Sequence, residues 1–402
     1  MLRLVLSLPR LLLFGGTMVL MLTLAVPGTA APRRPANDTE VLERLPLRPA
    51  DPVTRELASL RQALRANPED LATALQLANR YVELVGREGD PRYLGYAQAA
   101  LKPWWMLADP PDAVRVLRAF LRQFGHDFDG AARDLDVVLQ RDPGHAQARG
   151  LRATIFIVQA RYAQARVDCS AMRDNGNALI ATACEAMVDG LTGKGRAAYQ
   201  ALLAALAANQ DASAADRLWV LLRLAEISAR LGQTAQAEQH FRQALALGLD
   251  DTFLLAAYAD LLLDLQRPHE VVALLKERYA SDGLLLRLVL AERALGLPGA
   301  AARTATLSAR YAAARLRSDT AHEQEEARFM LETGQAAQPA LVLAVDNWRL
   351  QREPRDARVL LQAALATRTP AAAAPVLEWL DANRVEDVVL ADLARRTREL
   401  PR

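Results

Sequence analysis

Lysine is nearly missing from this chain of 402 residues: only Lys102, Lys194 and Lys276 occur, and arginine supplies the rest of the positive charge. Basic and acidic residues still balance, at 49 and 47. A nucleic-acid partner needs a basic surface to neutralise phosphates, so the balance argues against one. Histidine is scarce too. His126, His145, His240, His269 and His322 contain no pair at the i, i+4 spacing of a zinc helix, and His269-Glu270 lacks a second histidine at the right place. They read as solvated loop or helix residues, and no metal is expected. Gly190-Leu191-Thr192-Gly193-Lys194-Gly195 is too short between glycines for a phosphate loop and lacks Ser or Thr after the lysine. It reads as a turn. Glu323, Glu325 and Glu326 read as a wet helix face. With no constellation of titratable groups to carry chemistry, no catalytic residue and no cofactor are expected.

Long apolar runs are confined to the first thirty residues. Arg3 and Arg10 give a positive start, Leu11 to Val26 is apolar, Pro27-Gly28 breaks the run, and Gly28-Thr29-Ala30 offers small residues to a peptidase. This is the three-part pattern of a secretory signal over residues 1–30, with cleavage near Ala30. The alternative is an uncleaved anchor, although 16 apolar residues are short for a span that needs roughly 20. Residues 31–52 carry five prolines and read as an extended linker. The mature protein is expected to be soluble and periplasmic or secreted, touching a membrane only if the leader stays.

No Gly/Ser/Pro linker divides the chain after residue 53, which at this length suggests a repeat array. Self-comparison agrees. Asp127-Phe128-Asp129-Gly130-Ala131 recurs 34 residues on as Arg161-Tyr162-Ala163-Gln164-Ala165, and Ala119 recurs as Ala153. Ala225, Gly232, Ala237 and Phe241 recur at the same interval as Ala259, Gln266, Val271 and Leu275. The spacing then drifts to 38 and 30. Helices are expected at 53–66, in hairpins at 70–101, 112–141, 146–174, 177–208, 214–247, 252–280, 283–312, 319–350 and 355–382, and in a capping helix at 385–398. Thr154 to Val158 is β-branched and aromatic, but its repeat context makes it helix.

The residues Leu224-Ala225, Ser228, Gly232, Ala237, Phe241 and Ala244, with Phe128, Ala131, Leu135 and Val138 before Asp142-Pro143, resemble the tetratricopeptide repeat family. Small residues there let helices approach, glycine takes the left-handed turn, and the aromatic fills the space between hairpins. Arg118 and Arg152 depart from the pattern, standing where a large apolar residue is expected. The resemblance covers most of residues 70–350 and implies an all-α superhelical solenoid, which periodicity alone extends over residues 53–402; with the leader, the chain reads as exported and bacterial in type.

It also implies a concave groove lined by first helices, which receives a peptide or protein segment. Groove positions carried over by register are Val116, Phe120 and Phe124; Thr154, Ile157 and Val158; Trp219, Glu226 and Arg230; and Phe253, Asp260 and Asp264. Tyr96 takes the inward aromatic position. Trp104 and Trp105 follow a proline in an inter-helix loop: either at least one of them is an exposed anchor, or they cap the end of the core. By the same register Cys169 lies at an inward position and Cys184 one turn into the next helix. Either they are bonded, contributing about 3 kcal/mol by loop closure, or they are two buried thiols. The expectation is a non-enzymatic periplasmic scaffold or adaptor. The alternative is a membrane-tethered assembly factor or chaperone of the cell envelope.

Overall fold

The computed structural model describes residues 51–174, 178–317 and 322–401. The leader and most of the linker, residues 1–50, lie outside them. The described unit, Pro52–Arg402, is an all-α solenoid of helix hairpins with no strand among its described residues. Helix α1 (Pro52–Ala66) leads into the first hairpin, α2 (Leu71–Glu88) and α3 (Arg92–Ala100). A short helix, α4 (Lys102–Trp105), follows. Then come α5 (Asp112–Phe124) with α6 (Phe128–Arg141), α7 (Ala146–Val158) with α8 (Tyr162–Asp174), and α9 (Ala178–Asp189) with α10 (Gly195–Ala208). The second half pairs α11 (Ala214–Arg230) with α12 (Thr234–Leu245), α13 (Thr252–Asp264) with α14 (Pro268–Leu275), and α15 (Asp282–Ala294) with α16 (Ala300–Leu316). It continues with α17 (Glu323–Glu332) and α18 (Ala337–Leu350), then α19 (Pro354–Thr367) and α20 (Ala374–Asn383), and ends on α21 (Val388–Arg398).

The turn inside each hairpin is built the same way. One residue between first and second helix is left-handed: Gly89, His126, Ala160, Gly193, Gly232, Gln266, Gly296, Gly334 and Arg368. Only four of the nine are not glycine, because a Cβ makes this conformation costly by about 1–2 kcal/mol. Glycine is indispensable at Gly89, where a Cβ would come within 2.5 Å of the Ser281 Cβ. Helix starts are fixed by side-chain caps. Asp70, Asp127, Ser213 and Asp251 each accept a bond from the backbone N–H three residues on.

The first helices form an inner row, each touching the next from α5 to α19, while each second helix packs outside its partner. Inner-row helices are therefore covered on most sides, as in α15, where every residue from Leu284 to Glu292 is buried, Arg287 and Glu292 included. The array also curls back on itself. The Thr252 hydroxyl donates to the Gly86 carbonyl (3.0 Å). The Arg352 N–H donates to the Val158 carbonyl (2.7 Å), the Trp379 indole N–H to the Tyr162 hydroxyl (3.0 Å), and the Gly195 N–H to the Glu386 carboxylate (2.6 Å). Hairpins five or six places apart are thus in contact.

Cys169 and Cys184 are bonded, with Cα atoms 5.5 Å apart, and join α8 to α9 across the end of one hairpin and the start of the next. Three readings of the sequence are corrected. His240 is buried rather than solvated, sharing a hydrogen bond with the Tyr199 hydroxyl (3.0 Å), and burial pushes its pKa below the ordinary value. Glu326 is buried and paired with Arg315, so the acidic cluster is not simply a wet face. Tyr96 is 48% exposed, resting on the edge of Tyr81 and Tyr93 instead of filling the core.

Candidate functional site

The positions expected to line a groove separate into three groups. Val116 and Ile157 are corrections. Both are 3% exposed and belong to the core between hairpins, Val116 with Ala119 and Leu135, and Ile157 with Phe156 and Cys169. The register carried over from the repeat pattern was displaced where the arginines intrude, so these side chains turn inward. Val158 is buried as well. Trp219 is half-buried and bridges two core clusters.

Trp104 and Trp105 are the second group. They sit in α4, not in a loop, and both are half-buried against the first-hairpin core with Phe120. Phe120 and Phe124 pack on each other at 5.0 Å and are half-buried. The segment after α4 is held from beneath. Arg118 donates from Nη1 to the Trp105 carbonyl (2.6 Å) and the Leu107 carbonyl (3.3 Å), and Arg115 donates from Nη2 to the Ala108 carbonyl (3.1 Å).

Those arginines explain the departure from the repeat pattern. Arg118 forks Asp134 through Nε and Nη2 (2.8 and 2.5 Å), and Arg115 and Arg122 reach the same carboxylate at 3.2 and 2.8 Å. One repeat later, Arg152 forks Asp168 (2.8 and 2.7 Å) and Arg149 joins it at 2.7 Å. Arg115, Arg118 and Asp134 each recur 34 residues on, as Arg149, Arg152 and Asp168. Asp168 is 0% exposed. A carboxylate so deep needs every lone pair occupied, and two or three guanidinium groups supply that. The lattice replaces an apolar knob between first and second helix.

The third group lies on the inner row of the second half. Phe253 is 50% exposed at the start of α13. Glu226 pairs with Arg223 (2.9 Å) on α11. On the same helix Arg230 is so desolvated that its pKa falls below the usual arginine value, against the pull of Glu226 and Asp387. Asp260 on α13 accepts from Arg287 of α15 (2.7 Å) and from Arg328 of α17 (2.6 Å). Burial alone would raise the Asp260 pKa, but the two guanidinium groups outweigh it and hold the carboxyl well below the usual range. Arg328 also binds Glu332 through Nε (2.7 Å). Asp264, the last residue of α13, is forked by Arg358 of α19 (2.8 and 2.6 Å). These bonds join first helices one, two and three hairpins apart, so they cross the inner face.

A recess of about 500 Å³ opens beside this network. Leu263 and Leu290 give it apolar wall, and Asp264, Arg293, Arg328, Glu332, Arg358 and Gln362 give it polar wall. Sequence reading reached Asp260 and Asp264 on the inner face. It missed Arg287, Arg328 and Arg358, which carry no local signature and are brought together only by the curl of the array. Among the described residues no group of three His, Cys, Asp or Glu could hold a metal ion, and no helix is long and apolar enough to cross a membrane.

No family model matches the chain, and no curated protein matches it. Among solved structures it is similar to a tetratricopeptide repeat protein from Parabacteroides merdae, at 15% identity and a TM-score of 0.43, over 60% of this chain and 92% of that one. It is also similar to yeast Tom70, at 12% identity and a TM-score of 0.39, over 86% of this chain and 85% of that one. The tetratricopeptide domain of P58(IPK) matches at 15% identity and a TM-score of 0.22, over 87% of this chain and 98% of that one.

Proposed function

We propose that the protein is a non-enzymatic scaffold or adaptor of the periplasm, which holds a peptide or protein segment against the inner row of first helices. The observation that carries this is the polar inner face of α13, α15, α17 and α19. A wall of an all-helical array has no need of a water-accessible recess with arginine and glutamine side chains in it, whereas a recognition face does. Half-exposed Phe253 gives the same face an apolar contact point. The bond between Cys169 and Cys184 suits an oxidising compartment.

Photo-crosslinking tests the reading. A crosslinker placed at exposed Gln266, on the rim of the recess, is expected to capture a discrete protein partner in the periplasm, and one at Val167 on an outer helix is not. Equal or absent capture from both positions would overturn it. Sequencing the N-terminus of the exported chain checks the location: a start just after Ala30 is expected, and an intact leader would favour the membrane-tethered reading instead.

A further inference from the structure

The charges around the recess are not held equally. Arg328 is tied twice, to Asp260 and to Glu332. Arg358 has a single carboxylate, Asp264, and its Nε is buried without a partner. Gln362, one helical turn further along α19, has its Oε1 buried and unpartnered as well. Arg293 donates to the Thr333 carbonyl (3.1 Å), and no carboxylate pairs with it among the described residues. Three guanidinium groups therefore meet two carboxylates in the wall, and one of those carboxylates is poorly placed. Asp264 ends α13, so its negative charge sits at the negative end of the helix dipole. It is also a third exposed, so water competes for it.

We propose that Asp264 is an internal placeholder in a receptor for acidic side chains, and that a glutamate or aspartate of a bound segment displaces it from Arg358. The inference rests on the scaffold reading and gives the partner its chemistry. The incoming carboxylate takes the fork of Arg358 that Asp264 now occupies, and Arg293 faces the same space. Leu263 and Leu290 receive the aliphatic stem, and the recess has room for more than one side chain. Displacement has a second effect. Asp264 and Arg358 belong to hairpins three places apart, so exchanging the bond for an external one unties α13 from α19. Binding and loosening of the inner face are then one event.

The test uses a fluorescent pentaglutamate peptide, with pentalysine, glutarate and inorganic phosphate as further arms, titrated into the full chain by anisotropy and competition. Asp264→Asn removes the competitor and is expected to bind pentaglutamate about tenfold more tightly than wild type at low salt. Arg358→Gln is expected to abolish binding. Arg293→Gln, which breaks no carboxylate pair, is expected to weaken binding about fivefold with melting unchanged. Competition by phosphate as strong as by glutarate would mean a general anion site and overturn the carboxylate assignment. No gain in Asp264→Asn, or equal binding of pentaglutamate and pentalysine, would overturn the placeholder. Should Asp264→Asn fail to fold, an Arg293→Gln variant that binds as wild type overturns the proposal by itself. If the rim crosslink to a periplasmic partner survives in Arg358→Gln, the scaffold stands and only the acidic receptor falls.

Discussion

Two regions of this array use the same residue pair for opposite ends. In α5 to α8 arginine and aspartate meet inside a hairpin, 12 to 19 residues apart, around carboxylates sealed from water, and the Arg115–Arg118–Asp134 set is repeated at 34 residues. In α13 to α19 they meet between hairpins, 27 to 94 residues apart, and remain partly wet. The first arrangement spends its buried carboxylates wholly inside the fold, with only the Arg115 Nε left over, and is structural. The second leaves guanidinium and amide atoms over, and it borders a recess. An arginine–aspartate pair by itself does not distinguish packing from recognition; the burial of the carboxylate and the recess beside it do.

The largest expected effect breaks the sealed side of this comparison. Asp134→Ala leaves Arg118 buried with no carboxylate partner and Arg115 with only Asp109, and is expected to cost about 3–5 kcal/mol, read by denaturant unfolding. Removing the wet pair with Arg358→Ala is expected to cost at most about 1 kcal/mol. Equal costs would erase the distinction.

The next effect is sharper in pH than in size. Asp356, the third residue of α19, is 2% exposed and accepts from the Glu353 N–H (2.9 Å). Burial pushes its pKa up to about 7, with Glu353 adding to the rise while Arg355, the Glu353 N–H and Asn347 oppose it. A carboxyl whose folded pKa is raised stabilises fully below its unfolded value of about 4, and that contribution is lost as pH climbs through 7. Asp356→Asn is therefore expected to raise the melting temperature at pH 8, by the equivalent of roughly 2 kcal/mol, and to change little at pH 4.5. A shift that is the same at both values would refute the assignment.

Smaller still is the turn between α13 and α14. Gln266 is exposed and left-handed (φ 58°), and its counterpart one repeat earlier is Gly232. Gln266→Gly is expected to stabilise by about 1 kcal/mol, because the Cβ penalty outweighs the extra freedom of the unfolded chain. Thermal melting checks the sign.

Helix hairpins were legible because their signals are local. Turn residues, the 34-residue recurrence and apolar spacing placed nearly every hairpin within a few residues of where it lies. The departures were legible as departures: Arg118 and Arg152 stood out against the repeat, though only the structure showed Asp134 and Asp168 beneath them. The same intrusion displaced the register and put Val116 and Ile157 on the wrong side of their helices. Helix α4 was missed because four residues carry no period. The recess was half legible. Asp260 and Asp264 fall on the inner face by register, but Arg328 and Arg358 reach them only through the curl of the array, which no local pattern encodes.

That curl has a consequence for the order of events in folding. An array whose repeats touch only their neighbours gains its stability step by step and can begin anywhere. Here the Val158 carbonyl and the Tyr162 hydroxyl, in the third hairpin, wait for Arg352 and Trp379. Contacts this distant in sequence are slow to close, since the loop entropy is spent before the contact is made. A chain arriving from its N-terminus therefore holds its middle hairpins uncovered until nearly the last residues have emerged, and a chain ending before α19 leaves them so. Limited proteolysis of a chain truncated after Leu350 is expected to cut near residues 158–162, where the complete chain resists.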